Sequence, residues 1–360
     1  MRYLGNKTKL LPFILRAVET LEVEPGVACD PFAGTASVAT ALKRAGWRVH
    51  AGDLLAASYA LQVARLELDR TPRFPASLLE GRANGGTISY RKVLASLEEQ
   101  EVRGFVSEHY TLAGRAGREH GRMYFSPENG RRIDGIRGRI AAWREAGLID
   151  RRRAQLLIAT LIEAADRVAN TTGVYASFVK SLQPNALRAL ELRPIVPTPG
   201  NGVNGGCSAF RGPARELLRA AGPVDLVYLD PPYNGRQYPG YYHIPELLAL
   251  GWTPPPRIRG KTGLIPDDDL RSEWCRKGRV ADALRDTLAA ADGRHILLSY
   301  NDEGLLSAEE IETALRERGD PDSYRLHRRP YRRYRSDADG PDRSYARDRV
   351  KEHLHYVRCR

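Results

Sequence analysis

The run Val224-Asp225-Leu226-Val227-Tyr228-Leu229 leads directly into Asp230-Pro231-Pro232-Tyr233. Its first six residues are mostly apolar and rich in Val and Leu, which predicts a buried strand of a parallel sheet. The next four end it, because neither proline has an N–H to give to a ladder. A carboxylate, a carbonyl outside the ladder and an aromatic ring are thereby set at the carboxyl end of a central strand. That is where open α/β sheets bind their ligands.

The chemistry of this cluster follows from its donors and acceptors. Ionised Asp230 only accepts, and the Pro231 carbonyl is a second acceptor. Two acceptors side by side suit an exocyclic amine with its two N–H groups. Tyr233 offers a face on which a planar base can stack. The set therefore fits a nucleobase amine held for reaction. The bland alternative is a tight turn whose Asp caps the next helix, and four residues alone do not decide between the two.

Upstream, the chain opens Met1-Arg2-Tyr3-Leu4-Gly5-Asn6-Lys7, followed by a helical pattern with Leu11, Ile14, Leu15, Val18 and Leu21 on one face. Gly26–Cys29 reads as a short strand. It runs into Asp30-Pro31-Phe32-Ala33-Gly34-Thr35-Ala36-Ser37, a turn opening a second helix that ends near Gly46. Arg48–Gly52 is a second strand, closed by Asp53. Asp30 and Asp53 are 23 positions apart, and an acid about 20 residues beyond the first turn is the usual ligand of a ribose hydroxyl. The loop is not GxGxxG, so a cofactor with a ribose and no pyrophosphate fits better.

From about residue 56 to 200 the parallel rhythm stops. Helices are expected over 57–69, 90–103, 136–148 and 151–169, with a mobile Gly- and Arg-rich stretch at 113–121. Residues 103–153 hold twelve Arg, no Lys and six acids. For single arginines such as Arg131 and Arg132 a solvated helical face competes with phosphate contact. Pro194–Gly206 reads as a long loop. The α/β pattern resumes with a helix at 213–221 and the strand quoted first. Beyond it lie Arg236 and Tyr238, a helix through Leu247, Leu248 and Leu250, a Pro-rich charged loop at 253–279, and a strand at His295–Asn301. Residues 324–335 and 350–358 are expected to form a closing antiparallel pair. Six Arg, Arg332 and Arg333 among them, and three Tyr fall between Tyr324 and Arg335 with no acid. That interleaving suits phosphate contact with base or sugar packing, and an ordinary exposed hairpin suits it equally.

The 360 residues carry 56 Lys and Arg against 44 Asp and Glu, a formal net charge of +12, which favours a polyanionic partner, most simply nucleic acid. Cys29, Cys207, Cys275 and Cys359 are far apart and form no CxxC, so they read as reduced thiols of a cytosolic protein and not as a metal site. No apolar run reaches the roughly 18 residues of a membrane span, and no signal-peptide core is present.

Three motifs in order carry a resemblance: Arg2-Tyr3-Leu4-Gly5-Asn6-Lys7, Asp30-Pro31-Phe32-Ala33-Gly34-Thr35 and Asp230-Pro231-Pro232-Tyr233. Together they resemble the Dam-like class of S-adenosylmethionine-dependent DNA adenine-N6 methyltransferases. The continuation Asn234-Gly235-Arg236-Gln237-Tyr238 and the later Leu298-Ser299-Tyr300-Asn301 resemble a branch found in bacterial restriction–modification systems. The resemblance implies a Rossmann-like α/β methyltransferase fold, with a mostly parallel twisted sheet and a large helical insert. It implies a catalytic domain of 1–55 and 207–360 and a target-recognition insert of 56–206. It also implies that Tyr3, Gly5 and Lys7 line the methionine end of the cofactor. Asp30, Phe32 and Gly34 would hold its carboxylate side and its turn, and Asp53 its ribose. Asp230 and Pro231 would hold the adenine amine and Tyr233 would stack on the ring, in one in-line methyl displacement on a flipped base. One departure stands out: Pro213 occupies the place of an acid that members of the class often set against the cofactor's adenine.

The expected function is methylation of adenine N6 in a specific sequence of double-stranded DNA, with a possible cognate restriction endonuclease. Two alternatives stay open: methylation of cytosine N4 or of an RNA base, and a non-catalytic DNA-binding protein on a methyltransferase fold.

Overall fold

The strand Val224–Leu229 lies inside a seven-stranded sheet, buried as its composition requires. The computed structural model describes residues 1–21, 23–79, 85–200, 206–266, 268–332 and 349–359. Arg333, expected at a DNA surface, falls outside them, as does the side chain of Arg332. The strands are β1 (Val27–Asp30), β2 (Arg48–Asp53), β3 (Phe74–Pro75), β4 (Thr87–Ile88), β5 (Ser208–Arg211), β6 (Val224–Leu229), β7 (Gly293–Asn301), β8 (Arg325–Arg332) and β9 (Arg349–Arg358). β3 and β4 form a separate small ribbon, and the main sheet runs β5-β2-β1-β6-β7-β9-β8.

The chain divides into two compact units: Gly5–Gln62, Pro199–Tyr238 and Asp269–Arg360 make the first, and Met1–Leu4, Val63–Thr198 and Pro239–Asp268 the second. The helix Ala56–Gln62 thus stays with the first unit, and the helix His243–Leu250 belongs to the second.

The first unit holds the sheet. β5, β2, β1, β6 and β7 run parallel to one another. β9 then runs antiparallel to β7 and β8 antiparallel to β9. The expected closing pair forms, and it continues the main sheet. Val227 and Leu229 of β6 and Ile296 and Leu298 of β7 pack with Leu284 and Leu288 of the helix Val280–Ala290 in one core cluster. From β1 the chain builds outward to β2 and β5, then returns to lay β6 on the other side of β1. The crevice at the carboxyl ends of β1 and β6 is therefore the topological switch point, where such sheets take their ligands.

The second unit is mainly helical. The helix Arg151–Val168 lies on Pro127–Glu145 and on His243–Leu250. Leu156, Leu161 and Ile162 are buried on the first, Ile244, Leu247 and Leu248 on the last. Three expectations are corrected here. The helix expected over 136–148 starts at Pro127, where the Ser126 hydroxyl accepts the Asn129 N–H at 3.2 Å as the cap. Glycines in this helix allow close approach: a Cβ on Gly130 would lie 2.5 Å from Thr111, and one on Gly135 2.8 Å from the Gln100 backbone. The stretch 113–121, expected to be mobile, contains a short helix, Arg115–Glu119. Gly117 there is pressed against the Thr111 carbonyl so closely that a Cβ would come within 1.8 Å of its oxygen. The helix expected over 90–103 stops at Glu98.

Candidate active site

Parallel pairing sets three carboxylates at one end of the sheet. Asp53 closes β2, Asp30 closes β1 in register with Ala51, and Asp230 follows the last residue of β6. They come from neighbouring parallel strands, so the shared strand direction brings them to the same edge. Asp30 is buried, with 1 % of its surface exposed. The Asp230 side chain keeps 18 %, enough to meet a ligand.

The loop after β1 is organised by these acids. The Gly34 N–H donates to Asp53 Oδ2 at 3.1 Å, and the Leu55 N–H to Oδ1 at 2.9 Å. Gly34 sits at φ +50° and Ala36 at φ +64°, so the turn tightens just before the helix Ser37–Arg44. Gln62 donates to the Gly34 carbonyl at 3.2 Å, and Asn6 to the Thr35 hydroxyl at 3.0 Å. The segment Gly5–Lys7 is thereby tied to the same loop. Gly5 has φ +78°, and a Cβ on it would lie 3.5 Å from the Tyr238 hydroxyl.

Lys7 is the pivot of the site's charge. Its side chain is 5 % exposed, with Nζ 3.1 Å from Asp230 Oδ1 and 2.6 Å from Glu352 Oε1. The Ser299 hydroxyl donates to the same Glu352 oxygen. Burial alone would lower the Lys7 pKa, but Asp230 and Glu352 outweigh it and hold the ammonium well above its ordinary range. Asp230 is pushed up to about 7, first by burial and also by Glu352, against the pull of Lys7. Asp30 is raised well above the usual carboxylate range by burial, then by Asp230 and Asp53. Asp30 Oδ1 has no hydrogen-bond partner among the described residues. The site therefore carries more buried acid than base and an acceptor with nothing to accept, which suits a ligand bearing positive charge and N–H donors.

The remaining expected residues fall as follows. Pro231 is buried and Pro232 and Tyr233 are half-buried, outside any regular element. The Tyr233 carbonyl accepts the Leu305 N–H at 2.8 Å, and its ring meets Tyr300 edge-on at 6.4 Å. Phe32 packs edge-on against Trp274 at 5.6 Å. Pro213 caps the helix Ala214–Ala221 and supplies no side-chain hydrogen bond. Arg236 is exposed. Tyr3 belongs to the helical unit, where its ring stacks on Tyr242 at 4.7 Å. Arg131 and Arg132 both reach Glu101, at 3.5 and 3.3 Å. Glu352 and Ser299 were not expected among the site residues. Lys7 and Glu352 lie 345 positions apart, and a single Glu in a charged strand reads as solvent-facing.

Comparison with known proteins decides the family. A model of the D12 class N6 adenine-specific DNA methyltransferases matches residues 3–314. The chain belongs to this class. Similar relatives include the type II methyltransferase M.FokI of Planomicrobium okeanokoites, 36 % identical over 339 residues, 93 % of this chain and 50 % of that protein. The type II methyltransferase M.NlaIII of Neisseria lactamica is 34 % identical over 363 residues, 99 % of each chain. The modification methylase StsI of Streptococcus sanguinis is 32 % identical over 338 residues, 93 % of this chain and 49 % of that protein. The chain thus spans about half the length of M.FokI and StsI and nearly all of M.NlaIII. No solved structure matches it. A D12 methyltransferase needs a methyl donor and acts on DNA. No helix among the described residues is long and apolar enough to cross a membrane.

Proposed function

We propose that the protein transfers the methyl group of S-adenosylmethionine to N6 of an adenine flipped out of a specific sequence in double-stranded DNA. It would serve as the modification partner of a restriction endonuclease in the cytoplasm, where four buried, unpaired cysteines suit a reducing environment. The observation that carries the reading is the set of three carboxylates at the carboxyl ends of β2, β1 and β6, with Lys7 on the last of them.

When bound, the cofactor supplies a methyl group on a positively charged sulfur. The unpartnered, buried Oδ1 of Asp30 fits its ammonium, and Asp53, Phe32, Gly34 and the segment Gly5–Lys7 surround the same loop. Asp230 and the Pro231 carbonyl accept the two N–H groups of the target amine. They draw the nitrogen toward tetrahedral geometry, free its lone pair and stabilise the charge that develops on it. Tyr233 stacks on the flipped ring, at a typical worth of about 1–3 kcal/mol. No side chain acts as a nucleophile. The helical unit is assigned to target recognition, with its Arg131 and Arg132 as DNA-facing residues, and Arg236, Tyr238, Arg332 and Arg333 of the catalytic part of the chain are assigned to DNA contact beside them.

The test is to incubate the protein with S-adenosylmethionine and unmethylated bacterial DNA, digest to nucleosides and identify the product by mass spectrometry. N6-methyladenine is expected. N4-methylcytosine, or no product from a folded, cofactor-binding protein, overturns the reading.

A further inference from the structure

Glu352 stands on β9 opposite Asn301 of β7, and its side chain is 0 % exposed. One oxygen, Oε1, takes both the Lys7 ammonium at 2.6 Å and the Ser299 hydroxyl, and Oε2 has no partner among the described residues. Lys7 in turn meets Oδ1 of Asp230 at 3.1 Å. A buried ion pair is weak evidence for stability, since well-packed apolar residues often serve as well. Here the pair is also incomplete, because one ammonium is shared between two carboxylates. The arrangement is better explained by what it does to the second carboxylate. An ammonium whose contact is with Oδ1 favours Oδ2 of Asp230 as the oxygen offered to the target amine, and restrains the carboxyl from turning. Without Glu352, Lys7 would be free to settle on either oxygen or bridge both.

We propose that Glu352 is a positioning residue for methyl transfer: held by Ser299, it anchors Lys7 on one oxygen of Asp230 and so aims the other at the target amine. The proposal rests on the role given to Asp230 under Proposed function. The ionisable groups around the pair are Lys7 from the N-terminal segment, Asp30 at the end of β1, Tyr228, Asp230 and Tyr233 from β6 and its end, and His353 beside Glu352 on β9. Arg329 of β8 is opposite Glu352 in the ladder, and its guanidinium lies 5.8 Å from the Phe13 ring.

The experiment measures single-turnover transfer of a radiolabelled methyl group to unmethylated bacterial DNA across pH, with cofactor binding by calorimetry and folding by circular dichroism. Glu352→Gln keeps the size of the side chain and removes its charge. Expected are wild-type folding and cofactor affinity, with a rate lowered about 10–100-fold through a misaimed carboxylate. Asp230 must be ionised to accept, and the Glu352 charge opposes that ionisation. Its removal should therefore move the acid limb of the rate downward by about one pH unit. Glu352→Asp, which keeps the charge, should recover part of the rate. A wild-type rate or an unmoved limb in folded Glu352→Gln overturns the proposal and leaves Glu352 a structural residue. If Glu352→Gln does not fold, Glu352→Asp decides. Its anchor is one methylene short, so a lowered rate at wild-type cofactor affinity supports the proposal and a wild-type rate overturns it. Asp230→Ala is measured alongside. Normal turnover there removes the active-site reading itself, whereas a dead Asp230→Ala beside a wild-type Glu352→Gln removes only the role of Glu352.

Discussion

The carboxylate end of the sheet and the arginine-rich helices of residues 103–153 are both charged, and the structure uses the charge in opposite ways. At the sheet end, Asp30, Asp230, Lys7 and Glu352 are withdrawn from water, share too little positive charge, and leave Asp30 Oδ1 and Glu352 Oε2 unpartnered among the described residues. Such a cluster is kept at a cost, which is the mark of a functional site. In the helices, many arginines are already committed. Arg122 donates to the carbonyls of Lys261 and Gly260, and Arg137 to those of Leu248 and Ala249. Arg131 and Arg132 share Glu101, and Arg151 and Arg152 share Glu67. A local excess of +6 in the sequence is therefore not a count of phosphate contacts. Unmet charge in a buried place says more about chemistry than abundant charge on a helix.

The sharpest way to break this contrast is Asp230→Ala. Methyl transfer should fall by about a thousandfold or more, the scale of losing a preorganised electrostatic contact. Calorimetric cofactor affinity should persist, because Asp30 and Asp53 are untouched. Turnover within a few fold of wild type would show that the unmet charge at the strand end is not the site of reaction.

The opposite pole is Arg137→Met. The side chain caps the last carbonyls of the helix His243–Leu250 at 2.7 and 3.4 Å, groups with no partner inside the helix. Truncation should destabilise the protein by about 1–3 kcal/mol, as for buried acceptors left unsatisfied. The salt dependence of DNA binding should not change. A flatter slope with unchanged stability would make Arg137 a phosphate ligand after all.

Asp53→Ala tests a residue with a foot in both camps, since its two oxygens accept the Gly34 and Leu55 N–H groups while standing at the proposed ribose site. A loss of about 1–3 kcal/mol in cofactor affinity is expected. Unchanged affinity by calorimetry would restrict Asp53 to holding the loop.

The smallest effect concerns Arg131 and Arg132. Surface ion pairs such as theirs with Glu101 contribute about 0–1 kcal/mol, so both can exchange Glu101 for phosphate at little cost. Replacing both by Ala should flatten the slope of log K for DNA against log salt by up to about 2. An unchanged slope in a folded double variant would leave both to Glu101.

Much of this molecule was legible locally. The apolar run ending at Asp230, the Asp30 turn and the Asp53 strand end each declare themselves through side-chain pattern and the missing N–H of proline. The motif order placed them in one family before any contact was known. Other elements escaped for identifiable reasons. β5 is four residues of mixed polarity on the sheet edge and has no pattern of its own. The helix Pro127–Glu145 contains glycines that weaken its pattern, and two of them, Gly130 and Gly135, give room to Thr111 and Gln100. The helix Ala308–Arg318 did carry a local signal, the capping box of Ser307 and Glu310.

The sequence by itself pointed to a mostly parallel sheet and to the three acids at its strand ends, because strand period, proline chemistry and spacing are properties of neighbouring residues, whereas the strand order that makes the switch point came with the fold. Only the tertiary structure decided which charges are buried and which are shared. Lys7, Ser299 and Glu352 come from the first segment of the chain and from two late strands, and nothing in their local sequence says that they meet. Desolvation, which turns ordinary charged residues into a site, depends on what packs around them, and that is settled only when the whole sheet has formed.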